Sequence, residues 1–206
     1  EVRNPLTVVK GFTQLLKTPN LTPESREKYI EHILEELNRA QVIIDDYLTF
    51  AKPASEKLDH ISVEQELNRV INMILPLCNM NTIHITKDFS EATIVGNKQH
   101  FQQCVLNLIK NAIEAMPDGG SLNISSSINN NKVIIRIEDS GIGMSQEQIN
   151  RFGEPYFSTK TKGTGLGTMV AVKIIETMQG TLKIRSVIHK GTTLIITLPK
   201  YNKNLS

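Results

Sequence analysis

Aromatic residues and cysteines are scarce in this sequence of 206 residues. Aromatic residues make up 5% of the chain and Trp is absent, so aliphatic side chains must form most of the core. The two cysteines, Cys78 and Cys104, lie in apolar surroundings without the spacing of a metal site or a redox motif. We therefore expect two reduced core cysteines in a cytoplasmic protein.

A large charge imbalance and long apolar runs are missing as well. The net charge of +2 is too small to indicate a nucleic-acid-binding protein, and no run approaches the roughly 18 apolar residues of a membrane span. We expect neither a nucleic-acid partner nor a membrane contact for this chain; any membrane anchor of a longer parent protein would lie upstream. With 39% apolar and 21% charged residues, the composition is that of a soluble globular protein.

The N-terminal residues have a helical pattern up to about residue 52. Helices at residues 1 to about 17 and about 24 to 51, with a proline-containing turn between them, predict a hairpin. Apolar residues recur on the second helix at steps of three and four, as in a coiled-coil seam: Ile30, Ile33, Leu37, Ala40, Ile44, Leu48 and Ala51. One hairpin cannot bury this seam and the stripe of the first helix, so we expect a dimeric four-helix bundle. Packing of the hairpin on its own C-terminal domain is the alternative.

The pattern changes after the second helix. Residues 53–60 are predicted to be a linker to a second domain over residues 61–206. That domain combines helices at about 63–78, 97–116 and 167–178 with strands that tight turns join into hairpins. This mixture predicts an α/β sandwich rather than a doubly wound parallel fold. The expected fold class is therefore α+β, a helical hairpin followed by an α/β sandwich.

The long helix of the second domain carries a polar face. Asn107, Asn111 and Glu114 share one side of this helix. The apolar residues on the opposite side are Phe101, Val105, Leu108, Ala112 and Ala115. Asparagine is unfavourable inside helices because its side chain competes for backbone hydrogen bonds. We interpret the asparagine pair as a ledge that lines a site; a solvated helix face is the alternative.

Two glycine-containing segments follow. In "EDSGIGM" a strand ends at Asp139, and the glycines after it permit close approach of the backbone to a ligand. A carboxylate at this position can accept a hydrogen bond from an exocyclic amine such as that of adenine. In "FSTKTKGTGLGT" alternating glycines precede a helix, and backbone amides at a helix N-terminus bind phosphate well. Neither segment matches a Walker P-loop or a Rossmann motif.

The order of these segments resembles the histidine-kinase branch of the GHKL ATPase and kinase superfamily, whose ATP-binding domain has the Bergerat fold. "NLIKNAIEA" resembles its N box, "DSGIGM" its G1 box, "EPYFSTK" its F box and "GTGLGT" its G2 box. The opening "EVRNPL" resembles the H box, in which a phospho-accepting histidine precedes the glutamate. Within the family, "EVRNPLTVVKGFTQLL" and "NLIKNAIEAMPDGG" are most similar to the sporulation-type sensor kinases of spore-forming bacteria.

The resemblance implies ATP and Mg²⁺ as cofactors and assigns residues to them. Asn111 would hold Mg²⁺, Asn107 would line the phosphates, Asp139 would read the adenine amino group, and Thr193 would support adenine recognition. Ten further residues would lie near the nucleotide: Lys110, Gly141, Gly143, Lys160, Lys162, Gly163, Thr164, Gly165, Leu166 and Gly167. The role of Glu114, where many relatives have Lys or Arg, stays open.

Asn107 also distinguishes among branches of the superfamily. The hydrolysing branches carry a Glu at this position, which acts as general base on water, and an amide cannot take that proton. We therefore expect ATP to be bound without efficient hydrolysis and its γ-phosphoryl to pass to a histidine immediately before Glu1. Glu1 would accept the imidazole proton, and Asn4 would orient a water for dephosphorylation of a partner.

The resemblance implies three partners: a second copy through the hairpin, a response-regulator receiver domain, and inhibitory proteins that dock on the hairpin. Two other functions stay open. One is a GHKL anti-sigma-type serine kinase, against which "RNPL" and Asn107 argue. The other is a dimeric scaffold that binds ATP and transfers nothing. A histidine before Glu1 would favour the kinase.

Overall fold

The structure is a computed structural model that describes residues 2–51, 58–157 and 165–202, with the backbone alone for residues 42 and 45–51. The chain divides into two compact units, residues 1–52 and residues 53–206. Among the helices that are described, none combines the length and the apolar character that crossing a membrane requires.

The first unit is a helical hairpin. Helix α1 covers Arg3–Leu15 and helix α2 covers Pro23–Ala51. Thr22 precedes α2, and its Oγ1 accepts a hydrogen bond from the backbone N–H of Ser25 at 3.2 Å, which satisfies one of the unpaired amides of the first helical turn. The ring of Phe12 packs between the helices against Tyr29, with ring centroids 5.4 Å apart. The predicted hairpin is thus confirmed.

The apolar seam of α2 is not covered within the hairpin. Ala40 is buried, but Ile30, Leu37 and Ile44 are each more than two-fifths exposed. Leu34, on the same helix, is 55% exposed. Isolated exposed apolar residues are common on proteins, whereas a row of them at helical spacing marks a contact surface.

The second unit contains four helices and seven strands within its described residues. The helices are α3 (Val63–Met80), α4 (Lys98–Glu114), α5 (Gln146–Asn150) and α6 (Gly167–Thr177). The strands are β1 (Asp59–Ser62), β2 (Ile83–Phe89), β3 (Thr93–Gly96), β4 (Gly120–Asn129), β5 (Lys132–Asp139), β6 (Thr181–Val187) and β7 (Gly191–Pro199). The main sheet has the order β2-β4-β5-β7-β6, and β1 pairs with β3 in a separate two-stranded sheet.

The main sheet is mixed: β2 and β4 are parallel and its other pairs are antiparallel. Alternate residues of β4, β5 and β7 form one buried face, against which α3, α4 and α6 contribute to the same core. The predicted α/β sandwich is thus confirmed. Periodicity did not reveal β1, β3 and α5, because elements of four or five residues are too short for it. Strand β1 begins inside the segment predicted to be the linker.

Both cysteines lie in this core, as expected. Cys78 and Cys104 are free thiols and are 0% and 2% exposed. Burial raises the pKa of the Cys104 thiol to about 12, so this side chain behaves as a small apolar residue rather than as a nucleophile.

A buried carboxylate joins α3 to the start of α4. Glu66 is 3% exposed, its Oε1 lies 2.8 Å from Lys98 Nζ, and its Oε2 accepts a hydrogen bond from Gln102. Burial raises the pKa of Glu66, but the hydrogen bonds from Lys98 and Gln102 and the charges of Lys98 and Arg69 oppose it. The net pKa is lowered from its usual value, so Glu66 is ionised and stabilises the fold at neutral pH.

We expect Glu66→Gln to destabilise the second unit by about 1–3 kcal/mol at neutral pH, because Lys98 loses its buried partner. The folded-state pKa lies below the unfolded one. The contribution is therefore fully present above the unfolded pKa and is lost as the pH falls through the folded pKa. Urea unfolding at a series of pH values from neutral down to about pH 3 measures both effects. Glu64→Gln, on the same helix, is the control; equal losses in the two variants would contradict this role of Glu66.

Candidate functional site

Asp139 is the last residue of β5 and continues its buried face. Val133, Ile135 and Ile137 point into the core at every second position, and Asp139 follows them with 7% exposure. Its Oδ1 accepts hydrogen bonds from the backbone N–H groups of Gly141 at 2.9 Å and Thr192 at 3.2 Å. Of the described residues, none donates a hydrogen bond to Oδ2. One carboxylate oxygen is thus part of the fold, and the other can accept a hydrogen bond from a ligand.

The environment of this carboxylate disfavours its charge. Burial raises the pKa of Asp139, the backbone hydrogen bonds from Gly141 and Thr192 lower it, and the neighbouring charge of Glu138 raises it; the net direction is upward. A carboxylate that is mostly buried, and whose second oxygen is still reachable by a ligand, gains more from a ligand N–H than a fully exposed carboxylate does. The position therefore suits a ligand that presents an amine.

Glycines let the loop after Asp139 pack tightly on both sides. A Cβ at Gly141 would lie 2.4 Å from the carbonyl oxygen of Ala115, and Ile142 N donates to that same oxygen at 3.0 Å. Gly143 has a φ of +67°, and a Cβ there would lie 2.1 Å from the carbonyl oxygen of Val187. The loop therefore lies between the end of α4 and the β6–β7 turn, where side chains would clash.

The polar face of α4 lies beside the start of α6. Asn107 and Asn111 are half-buried, whereas Lys110 and Glu114 are exposed. Asn107 Nδ2 donates a hydrogen bond to the carbonyl oxygen of Gly167, the first residue of α6, at 3.2 Å. The structure thus brings two predicted site residues together although 60 positions separate them in the chain.

The glycine-rich segment before α6 is anchored at its base. Gly165 has a φ of +67°, and a Cβ there would lie 2.5 Å from the backbone carbonyl carbon of Tyr156. Gly165 therefore lies directly against Tyr156, which precedes it by nine positions in the chain. Leu166 is buried. Lys160, Lys162, Gly163 and Thr164 lie outside the described residues.

The hairpin residues of the predicted site belong to the other unit. Asn4 lies on α1 and is exposed, and Glu1 is outside the described residues. The roles predicted for Glu1 and Asn4 stay predictions.

Thr192 contacts Asp139, whereas the predicted residue Thr193 does not. Thr193 is opposite Glu138 on the other face of the sheet, while Thr192 is opposite Asp139 and is 7% exposed. Alternation with Leu194 along β7 is the signal that places Thr192 inward. The sequence patterns also did not reveal Ser186, whose Oγ lies 2.8 Å from Thr192 Oγ1; a lone serine in a strand gives no such signal.

Two known domain families match this chain. Residues 96–202 match the histidine kinase-, DNA gyrase B- and HSP90-like ATPases, and residues 1–56 match the His Kinase A (phospho-acceptor) domain. The chain belongs to this ATPase family, and the two matches together define it as the two-domain core of a histidine kinase.

Several of the individual relatives that this chain resembles are sporulation kinases. Sporulation kinase B of Bacillus subtilis (strain 168) is 40% identical over 97% of this chain, which spans 47% of that relative. The histidine kinase AdeS of Acinetobacter baumannii shares the fold over 97% of both chains, with a TM-score of 0.81 at 20% identity. The histidine kinase ThkA, solved in complex with the response regulator TrrA, has a TM-score of 0.77 at 24% identity and covers 97% of this chain and 59% of that chain. The chain spans between 33% and 53% of three curated relatives.

We expect the substitution Asp139→Asn to weaken ATP binding without lowering the stability of the fold at neutral pH. The amide oxygen still accepts from Gly141 and Thr192, but the amide N–H₂ opposes a ligand amine, so we expect ATP affinity to fall at least about ten-fold. The folded pKa of Asp139 lies above the unfolded one. The folded state therefore binds more protons, and stability falls as the pH rises through these pKa values. Asn removes this pH dependence.

Calorimetric titration with ATP and thermal unfolding across the acid pH range measure the two effects. Unfolding free energy at neutral pH should be unchanged or about 1 kcal/mol higher in the variant. A variant that binds ATP as tightly as the original chain would contradict the role of Asp139. Ser140→Ala, at the adjacent position, is the control for disturbance of the strand end.

Proposed function

We propose that this chain binds ATP with Mg²⁺ in the second unit and transfers the γ-phosphoryl group to a histidine immediately before Glu1, from which it passes to an aspartate of a response regulator. The observation that carries the proposal is the connection made by α4. Its C-terminal end is bonded to the Asp139 loop and its middle to the start of α6. An amine acceptor and a phosphate-binding helix N-terminus are thus held at two points along one rigid element, its C-terminal end and its middle.

The residues fit the two halves of ATP. The open oxygen of Asp139 accepts from the exocyclic amine of adenine, and the first amides of α6 bind phosphate oxygens. Asn111 offers an amide oxygen, a hard ligand of the kind Mg²⁺ takes together with phosphate oxygens and water. When bound, Mg²⁺ neutralises charge on the phosphates. Lys110 and the segment from Lys160 to Thr164 add donors near the phosphates.

The chemistry of Asn107 favours transfer to a protein over hydrolysis. An amide has no basic site that can take a proton from water. Its N–H₂ group donates to the carbonyl oxygen of Gly167, so Asn107 acts as a brace between α4 and α6. Without a general base at this position, the γ-phosphoryl group is kept for a stronger nucleophile than water, and an imidazole is one.

The hairpin supplies the groups around the acceptor. Glu1, next to the histidine, accepts the proton of the imidazole and leaves one ring nitrogen nucleophilic. Asn4, exposed one turn further along α1, orients a water for dephosphorylation of the response regulator. The complex of ThkA with a response regulator supports the choice of partner, and inhibitory proteins that dock on the hairpin belong to the same proposal.

Phosphoryl transfer is tested on the chain extended upstream by its natural residues. Incubated with γ-labelled ATP and Mg²⁺, the extended chain should become labelled, and the label should be lost in acid and kept in base, as expected of a phosphohistidine. Asn111→Asp should reduce the labelling rate at least about ten-fold, because a carboxylate alters the charge and coordination of the bound metal.

Three outcomes would contradict the proposal. Label that survives acid and is lost in base would indicate a serine kinase. Steady ATP turnover by the chain without its upstream extension would indicate an ATPase, and would show that Asn107 does not prevent hydrolysis. Binding of ATP without any labelling of the extended chain would leave the scaffold as the function.

The exposed seam of α2 is the proposed dimer interface. We expect Leu37→Glu to shift the protein from dimer to monomer, because it places a charge among the apolar side chains that the partner helix covers. Sedimentation equilibrium measures the change. Lys28→Gln changes the net charge by the same amount at an exposed position on the opposite side of α2, and this control should leave the dimer intact; a monomeric original chain would contradict the interface.

A further inference from the structure

The side chain of Ser186 connects three parts of the adenine side of the site. Its Oγ accepts a hydrogen bond from the backbone N–H of Met144 at 2.8 Å. It donates to the carbonyl oxygen of Gly191 at 3.0 Å and lies 2.8 Å from Thr192 Oγ1. Ser186 is directly opposite Thr192 in the β6–β7 pair, so one hydroxyl links the loop after Asp139 to both strands of this hairpin.

The three contacts allow a single arrangement of protons. A serine hydroxyl has one proton to donate and two lone pairs to accept with. The carbonyl oxygen of Gly191 can only accept, so it takes the proton of Ser186. The N–H of Met144 occupies one lone pair, and the hydroxyl of Thr192 must donate to the other. Ser186 is then saturated, and Thr192 has no proton left for any other acceptor.

Thr192 connects this hydrogen-bond network to the carboxylate of Asp139. Its backbone N–H donates to Asp139 Oδ1, the oxygen whose position determines where Oδ2 points. The loop has two further ties, both between backbone groups: Ile142 N to the carbonyl oxygen of Ala115, and His189 N to the carbonyl oxygen of Ile142 at 2.7 Å. Of these ties to neighbouring elements, the one that uses a side chain is the bond from Met144 to Ser186.

We infer that Ser186 is a positioning residue of the adenine pocket. Its hydroxyl holds Thr192 against Asp139 and the loop over residues 141–144 against β6, and it thereby sets the preference for a purine that carries a 6-amino group. The inference rests on the proposed binding of ATP at Asp139. Ser186 does not touch the nucleotide; it acts through Thr192 and Asp139.

The test compares two nucleotides, ATP and purine riboside triphosphate, which lacks the 6-amino group. Calorimetric titration of the full chain with each, in the presence of Mg²⁺, gives the ratio of the dissociation constant of the analogue to that of ATP. Ser186→Ala should weaken ATP binding about ten-fold and the analogue less than about three-fold, so the ratio falls. Ser186→Thr keeps the hydroxyl and should restore the ratio to within about three-fold of the original chain.

A matched control separates positioning from stability. Ser126 of β4 is also a strand serine whose Oγ bonds a neighbouring backbone, accepting from Ser90 N at 3.1 Å, but it is not part of this network. Ser126→Ala should lower the melting temperature and leave the ratio unchanged. In the Asp139→Asn background, Ser186→Ala should lower the ratio no further, because the two residues act in series.

If Ser186→Ala does not fold, Ser186→Cys replaces it, since a thiol is a weak hydrogen-bonding group of similar size. A ratio that stays at the original value in the Ala or Cys variant would overturn the inference while leaving the proposed function intact. An original chain that does not bind ATP, or whose ratio is unaffected by Asp139→Asn, would overturn both.

Discussion

The buried carboxylate of Asp139 is the interaction on which the rest of the site depends. Its Oδ1 is held by two backbone N–H groups that come from different segments, the loop after β5 and the start of β7. The carboxylate therefore joins that loop to a strand more than fifty residues later in the chain. A Cβ at Gly191 would lie 1.9 Å from the carbonyl oxygen of Asp139, so this approach requires glycine as well. Burial of the charge is costly, and the cost is offset in part by these bonds and in part by whatever binds Oδ2.

Helix α4 connects the Asp139 loop to the other elements of the second unit. Its apolar face is buried in the core, and its polar face carries Asn107 and Asn111. Because a helix is rigid over 17 residues, the bond from Asn107 to α6 and the bond from the Asp139 loop to Ala115 are set at a fixed separation. The ion pair between Glu66 and Lys98 fastens the other end of α4 to α3. The nucleotide unit thus positions its site through one helix with three attachment points.

The two units differ in how their apolar side chains are buried. The second unit closes its core within one chain, with strands and helices covering one another. The hairpin buries few of its described side chains by itself, and Ile30, Leu34, Leu37 and Ile44 of α2 stay exposed. Two helices cannot enclose a core, which agrees with the proposed dimer.

Local patterns were sufficient for the hairpin, the long helix, the alternating strands and the order of the glycine-containing segments, because each depends on residues that are neighbours in the chain. They failed where an element was too short to show a period, as in β1 and α5. They also did not point to Thr192, which the structure places at Asp139; the role predicted for the adjacent Thr193 stays a prediction. The sequence does indicate that Thr192 lies on the same buried face of its strand as Leu194. It does not indicate that this face of the strand is the one next to Asp139.

The sequence by itself determined the fold class, the kinase family and the chemical types available: a carboxylate after a strand, amides on a helix, and glycines before a helix. Only the tertiary structure decided which of these meet. Asn107 bonds a residue 60 positions away, and Ser186 accepts from one 42 positions away. Such contacts depend on how the sheet and helices pack, because no local periodicity encodes the distance between segments so far apart in the chain.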